Sequence, residues 1–153
     1  MASNLRLLEH QEPASPLRSV ARSSHPARGR RDGPVLCVSG AAYDDLVFRY
    51  LARRWNTVRF LLVKGDGRGL QRAVEQRPRL VVMAAELGES FVVALRRWTA
   101  LVDVPIVALA RTETARERAR FIWSGASAYV SEPATVTDVD QLVRMLLEVS
   151  AWR

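Results

Sequence analysis

The chain has 153 residues and a net charge of +7, with 48% hydrophobic and 25% charged residues, the size and balance of one globular domain with room for a tail. No apolar run reaches the ~18–20 residues a helix needs to span a bilayer, and Glu9, His10, Gln11 and Glu12 interrupt Leu5–Leu8, where a signal peptide would stay apolar. Cys37 is the one cysteine, which excludes an internal disulfide framework and a multi-cysteine zinc site and fits a reducing cytoplasm.

Residues 1–34 read as a flexible, disordered tail. Ser, Pro, Arg, Gly and His dominate from Pro13 to Pro34, and Leu5, Leu7 and Leu8 offer at most a short helix. The tail holds six Arg against three acids, so a basic arm that grips phosphates or an acidic partner is the alternative to a bland extension. Twenty-two of the 23 basic residues are Arg and Lys64 is the sole lysine, a skew that GC-rich codons explain without any selection for guanidinium chemistry. Beyond the tail, seventeen basic residues stand against thirteen acids, and charges of both signs look interspersed, which is not by itself a nucleic-acid footprint.

From Val35 the pattern changes. Nearly continuous apolar runs at Val35–Ser39, Val58–Val63, Leu80–Ala85, Pro105–Ala110 and Ser127–Ser131 predict strands covered on both faces. Helical periods lie between them. Tyr43–Trp55 puts Leu46, Val47, Tyr50, Leu51 and Arg54 on one stripe, and Leu70–Gln76 follows the turn Gly65-Asp66-Gly67. Ser90–Leu101 offers Val92, Val93, Leu95, Trp98 and Leu101, interrupted by Arg96 and Arg97. Glu113–Trp123 offers Ala115, Ala119, Phe121 and Ile122 for the inner face, with Arg116, Arg118 and Arg120 outside. A last helix follows Pro133, with Thr137 as its N-cap and Val139, Leu142, Val143, Leu146 and Leu147 on one stripe. Strand then helix, five times over, predicts an α/β fold: a doubly wound five-stranded parallel sheet over 35–153, its functional crevice at the carboxyl ends of the strands.

The order of elements and several local runs resemble the receiver domains of bacterial response regulators, on a flavodoxin-like sheet. The runs are Lys64-Gly65-Asp66-Gly67, Arg77-Pro78-Arg79-Leu80-Val81-Val82, Val104-Pro105-Ile106-Val107-Ala108-Leu109 and, most specific, Ser124-Gly125-Ala126-Ser127-Ala128-Tyr129-Val130-Ser131-Glu132-Pro133. In that family two acids after the first strand and an Asp after the third hold Mg²⁺. The Asp accepts a phosphoryl group, and a hydroxyl residue and a Lys on the last two strands bind its oxygens. The resemblance places Ser39 and Gly40 at the first-strand acids, Ala84 at the phosphoacceptor, Ala110 at the hydroxyl residue and Glu132 at the Lys.

None of these residues can do that chemistry. The resemblance therefore implies a pseudo-receiver that works without phosphorylation, without enzymatic activity, metal or cofactor, and loss of the clustered carboxylates relieves like-charge repulsion. Asp44 and Asp45 read as first-turn helix charges. Glu86, two residues past Ala84, and Arg111, next to Ala110, are expected at the pocket mouth, Arg111 pairing with Glu86 or Glu132 unless all three point to solvent.

Tyr129 matches the family's aromatic switch, which turns inward when the phosphoryl group recruits the hydroxyl residue; beside Ala110 it is expected to be fixed. Trp123, Tyr129, Val130 and the helix from Val136 map onto the face by which such domains dimerise or meet partners, with Trp123 either an exposed anchor or packed at the end of its helix. His10 and His25 have no partner acid at useful spacing, and Gly65-Asp66-Gly67-Arg68-Gly69 lacks the ending of a phosphate loop and reads as a turn. The expected function is a cytoplasmic signalling module acting by protein–protein interaction with a partner or a second copy and with no membrane role. The alternative is a nucleic-acid-associated regulator that uses the tail.

Overall fold

The computed structural model describes residues 5–7, 33–40, 45–65, 68–131 and 136–151. Its strands are β1 (Leu5–Leu7), β2 (Val35–Ser39), β3 (Phe60–Lys64), β4 (Leu80–Ala84), β5 (Ile106–Ala110) and β6 (Ala128–Ser131). The helices are α1 (Asp45–Arg54), α2 (Arg68–Glu75), α3 (Glu89–Arg96), α4 (Ala115–Trp123) and α5 (Val136–Ala151). Strands β3, β2, β4, β5 and β6 lie side by side in that order, all parallel, which is the expected five-stranded sheet. One element differs from expectation. Leu5–Leu7, placed in the flexible tail and read as helical at most, forms a sixth parallel strand beside β3, in register from Leu5 opposite Phe60 to Leu7 opposite Leu62. A sheet edge offers a row of unpaired backbone groups, and a short apolar segment pairs with it whatever its helical tendency.

The continuous apolar runs have their reason in the layers. Alternate residues of one strand serve opposite faces. Leu36 and Val38 pack with Leu70, Ala73 and Val74 of α2 and Val92 and Leu95 of α3. Val35 and Cys37 pack with Phe48, Leu51 and Ala52 of α1, with Trp55 just after it, and with Leu142 and Leu146 of α5. Every residue of β2, β4 and β5 is buried. Burial pushes the Cys37 thiol well above its usual range, so it stays protonated and acts as a small apolar side chain.

Several helices sit differently from their predicted stripes. In α1 the inner face is Phe48, Leu51 and Ala52, with Trp55 just after it, and Tyr50 is 52% exposed. Within α4 only Phe121 is buried; Ala115, Ala119 and Ile122 face outward with the arginines. Thr114 caps this helix, its hydroxyl accepting from the Glu117 N–H at 3.2 Å. Thr137 falls inside α5 rather than at its cap. The long helix predicted over 90–101 divides into α3 and a single 3₁₀ turn, Thr99–Leu101.

Arg96 spans that division. Its guanidinium donates to the carbonyls of Leu101 (2.6 Å) and Val104 (2.6 Å), and to Gly125 from Nε (3.0 Å) and Nη2 (2.8 Å). One side chain thus gathers the end of α3, the loop into β5 and the turn between α4 and β6. Gly125, at φ +108, leaves room for it: a Cβ there would lie 3.2 Å from the Arg96 Cγ. Desolvation lowers the Arg96 pKa and the charge of Asp103 opposes that, but a guanidinium remains a cation. Arg96→Leu strands these carbonyls and is expected to cost about 2–4 kcal/mol. Urea unfolding will show a lower midpoint at an unchanged m-value, and a loss under about 0.5 kcal/mol would mean that water satisfies the carbonyls.

Candidate functional site

The carboxyl ends of β2, β4 and β5 bring Ser39, Gly40, Ala84 and Ala110 to one end of the sheet, as the connections of a parallel sheet require. Ser39 is buried and turns its hydroxyl to the Val63 carbonyl at 3.4 Å, so it serves the sheet and not the crevice. Ala84 and Ala110 are buried methyl groups at the floor of an open cavity of about 210 Å³. Its walls include Glu86, Arg111, Thr112, Glu117, Phe121 and Tyr129. Glu132 lies outside the described residues.

Glu86 and Arg111 line this same cavity. Glu86 follows β4 in a short 3₁₀ turn, Ala85–Leu87, and its side chain folds back across Gly40. A Cβ on Gly40 would lie 2.8 Å from both Cγ and Cδ of Glu86 and closer still to Oε1. The Glu86 carboxylate therefore occupies the space that a side chain at 40 would take. A Mg²⁺ cage needs about six oxygen ligands, usually with several carboxylates or phosphates among them. Ser39, Gly40 and Ala84 supply no carboxylate, and the described residues contain no group of three His, Cys, Asp or Glu that could hold a metal ion. The residues present do not fit that ion.

Tyr129 was expected at the partner-binding face, and here the structure corrects the sequence. Its ring is 4% exposed and packs at 5.0 Å, tilted 38°, on Phe121 of α4. The hydroxyl donates to Glu117 Oε2 at 3.2 Å and approaches the Thr112 carbonyl at 3.5 Å. Apolar area drives the ring inward and the polar tip finds an acceptor at the cavity wall. Val130 is half-buried against the opposite core and is likewise no surface anchor. Burial first, then the bond to Glu117, raises the Tyr129 pKa.

Glu117 is the residue that inspection of the sequence passed over. It also receives the Thr114 hydroxyl at 3.1 Å, so one carboxylate joins the cap of α4 to the aromatic of β6. The Thr114-x-x-Glu117 spacing of a capping box was the available signal. Ser131 adds a second link between β6 and the start of α4 by donating to Glu113 at 3.1 Å.

Trp123, at the far end of α4, is 91% exposed. It borders an open groove of about 450 Å³ with Ala115, Ala119 and Ile122, flanked by the Arg118–Glu113 ion pair. On the other side of α4, Arg120 donates to Glu89 of α3, from Nε at 2.9 Å. The helix is thus tied to α3 on one flank while its apolar outer face stays bare.

The sequence matches no protein-family model and no curated protein. Solved structures do match. The receiver domain of a DNA-binding response regulator from Colwellia psychrerythraea superposes with TM-score 0.61 at 13% identity, over 75% of this chain and 98% of that one. The architecture is that of a response-regulator receiver domain. A chemotaxis response regulator of Vibrio cholerae aligns with TM-score 0.60 at 15% identity, over 74% of this chain and 98% of the other. An orphan response regulator of H. pylori aligns with TM-score 0.57 at 14% identity, over 75% and 96%. Against this receiver fold the pocket residues named above are the point of departure.

Two measurements probe the pocket. Gly40→Ala is expected to cost about 1 kcal/mol by pushing Glu86 aside, and much less in a Glu86→Ala background. A coupling below about 0.3 kcal/mol in that double-mutant cycle would mean the two sites are independent. Tyr129→Phe loses a hydrogen bond worth about 1 kcal/mol. Because folding raises the phenol pKa, that stabilisation is complete below the unfolded value of about 10 and is lost as pH rises through the folded value. Stability curves of wild type and Y129F should therefore converge at alkaline pH; a gap that widens there would contradict the assignment.

Proposed function

We propose that the chain is a phosphorylation-independent pseudo-receiver, a non-enzymatic signalling module that needs no cofactor and acts in the cytoplasm by protein–protein interaction. The observation that carries this reading is the pair of Ala84 at the end of β4 and Glu86 folded over Gly40. An alanine has no atom that can attack a phosphodonor. The Glu86 carboxylate puts negative charge at the crevice where a phosphoryl group would need cations. Ala110 has no hydroxyl to recruit, and Tyr129 is already packed inward, so phosphorylation has no route to the α4 surface. No helix among the described residues is long and apolar enough to cross a membrane.

Interaction then falls to the surface that is already formed. Trp123 supports the role of anchor: an indole presented almost whole to solvent, beside a groove of small side chains, matches the aromatic hot spots of protein interfaces. Incubation with a small phosphodonor and Mg²⁺, followed by intact mass measurement, should leave the chain unmodified; a stoichiometric phosphoryl adduct overturns the reading. Trp123→Ala should abolish retention of a partner captured by the wild-type chain while moving stability by less than about 0.5 kcal/mol, as for other exposed sites. Tyr50→Ala, which removes an exposed aromatic from a different helix, should leave that retention unchanged.

A further inference from the structure

The charge of this protein is segregated, not interspersed as its sequence first suggests. Residues 45–79, from the start of α1 to the residue before β4, hold nine basic residues against three acids, whereas the rest of the chain holds fourteen against thirteen. A net +6 of the total +7 thus belongs to one unit built around β3. Codon bias accounts for the number of arginines but not for this placement.

The fold then concentrates much of that charge at the amino ends of the strands, opposite the cavity. Arg53 and Arg54 end α1, Arg59 lies in the loop into β3, and Arg77 and Arg79 lie in the loop into β4. Three contacts bring these loops together around the start of β2. The Val35 N–H donates to the Arg59 carbonyl at 2.9 Å, and the Arg79 N–H donates to the Pro34 carbonyl at 3.0 Å. The Arg79 guanidinium stands 5.3 Å above the ring of Trp55, the residue after Arg54.

Arg53, Arg54, Arg59 and Arg77 are exposed. Glu86, Glu89, Glu113 and Glu117 sit at the other end of the sheet, after β4 or around the start of α4, while Glu75 at the end of α2 and Asp103 in the loop into β5 are the described acids on the arginines' side, so the arginines outnumber the acids there. Arg77 adds a telling detail: it follows the last turn of α2 at φ 54, a left-handed position that suits Gly or Asn, yet a long cation is held there.

We propose that this arginine-rich end of the sheet binds the phosphodiester backbone of a nucleic acid. Guanidinium forks pair with phosphate oxygens in two-point contacts, and several on one surface match a repeating phosphate array. Tyr50, half-exposed on the same helix face three and four residues before Arg53 and Arg54, adds a ring for stacking or sugar contact. A lipid surface fits less well, because Trp55 and Val58, the large apolar residues beside these arginines, are buried, and the exposed Val102 in the loop into β5 is a single side chain rather than an apolar face. The surface lies away from Trp123, and it does not depend on the pseudo-receiver reading.

The test uses the full chain and a labelled DNA duplex of about 20 base pairs of arbitrary sequence, with a single strand of the same length, followed by fluorescence anisotropy from about 50 to 200 mM salt. Wild type should bind, with affinity falling steeply as salt rises. The variant R53Q/R54Q/R59Q/R77Q should lose at least about tenfold in affinity and flatten the salt slope by roughly 3. R111Q/R116Q/R118Q/R144Q, with the same change of net charge on residues away from that end, should lose less than about threefold. Arg77→Gly alone should keep or raise the melting temperature, since it relieves the left-handed strain, while still weakening binding. The proposal fails if both quadruple variants weaken binding equally, if the basic-end variant binds like wild type, or if the chain binds neither nucleic acid and is captured only by anionic phospholipid vesicles.

Discussion

One guanidinium sets the geometry of the half of the molecule in which interaction is proposed. Arg96 sits at the end of α3, where a cation also meets the negative end of the helix dipole. Its hydrogen bonds reach into two separate connections, the loop before β5 and the turn before β6. Backbone carbonyls in such turns have no ladder partner, and in a part-buried place each would otherwise be left unpaired. By collecting them Arg96 fixes where β5 and β6 enter the sheet and where α4 ends. The position of Trp123, two residues before Gly125, follows from that.

At the opposite end of the strands, substitutions that look like simple losses are compensated by neighbours. The place of a side chain at Gly40 is covered by Glu86, and the inward ring of Tyr129 lies against the small floor that Ala110 provides. Glu117 then ties Tyr129 to the cap of α4. The result is a crevice in which Tyr129, Glu117 and Thr114 are engaged with each other, joined to a helix that Arg120 pairs with Glu89 of α3.

The five strands of the sheet were legible because each is buried on two faces, and a run such as Val35–Ser39 or Leu80–Ala84 leaves few other readings. Boundaries and helix faces were less so. Tyr50 and Ile122 match apolar stripes by spacing, yet both are exposed, because the stripe that is buried depends on the rotation of the helix against a sheet the sequence does not display. For the same reason Ala115 and Ala119 could be counted as core. Leu5–Leu7 became a strand through the free edge of β3, which is a property of the sheet and not of the segment. Of the site, Ala84 and Ala110 were found by their places at strand ends, and Glu86 by alternation beyond β4. Glu117 and Arg96 were missed because their partners lie 12 and 29 residues away.

Periodicity alone determined that this chain folds as a wound parallel sheet and which residues, Ala84 and Ala110 among them, end its strands, because burial on both faces and the identity of a side chain are local facts. Only the tertiary structure decided which aromatic is hidden and which is displayed, placing Tyr129 inside and Trp123 outside. It also decided that arginines from α1 and two separate loops meet at one end of β2. These are long-range outcomes, since hydrogen bonds and ring contacts between distant segments carry no periodic trace in the residues that make them.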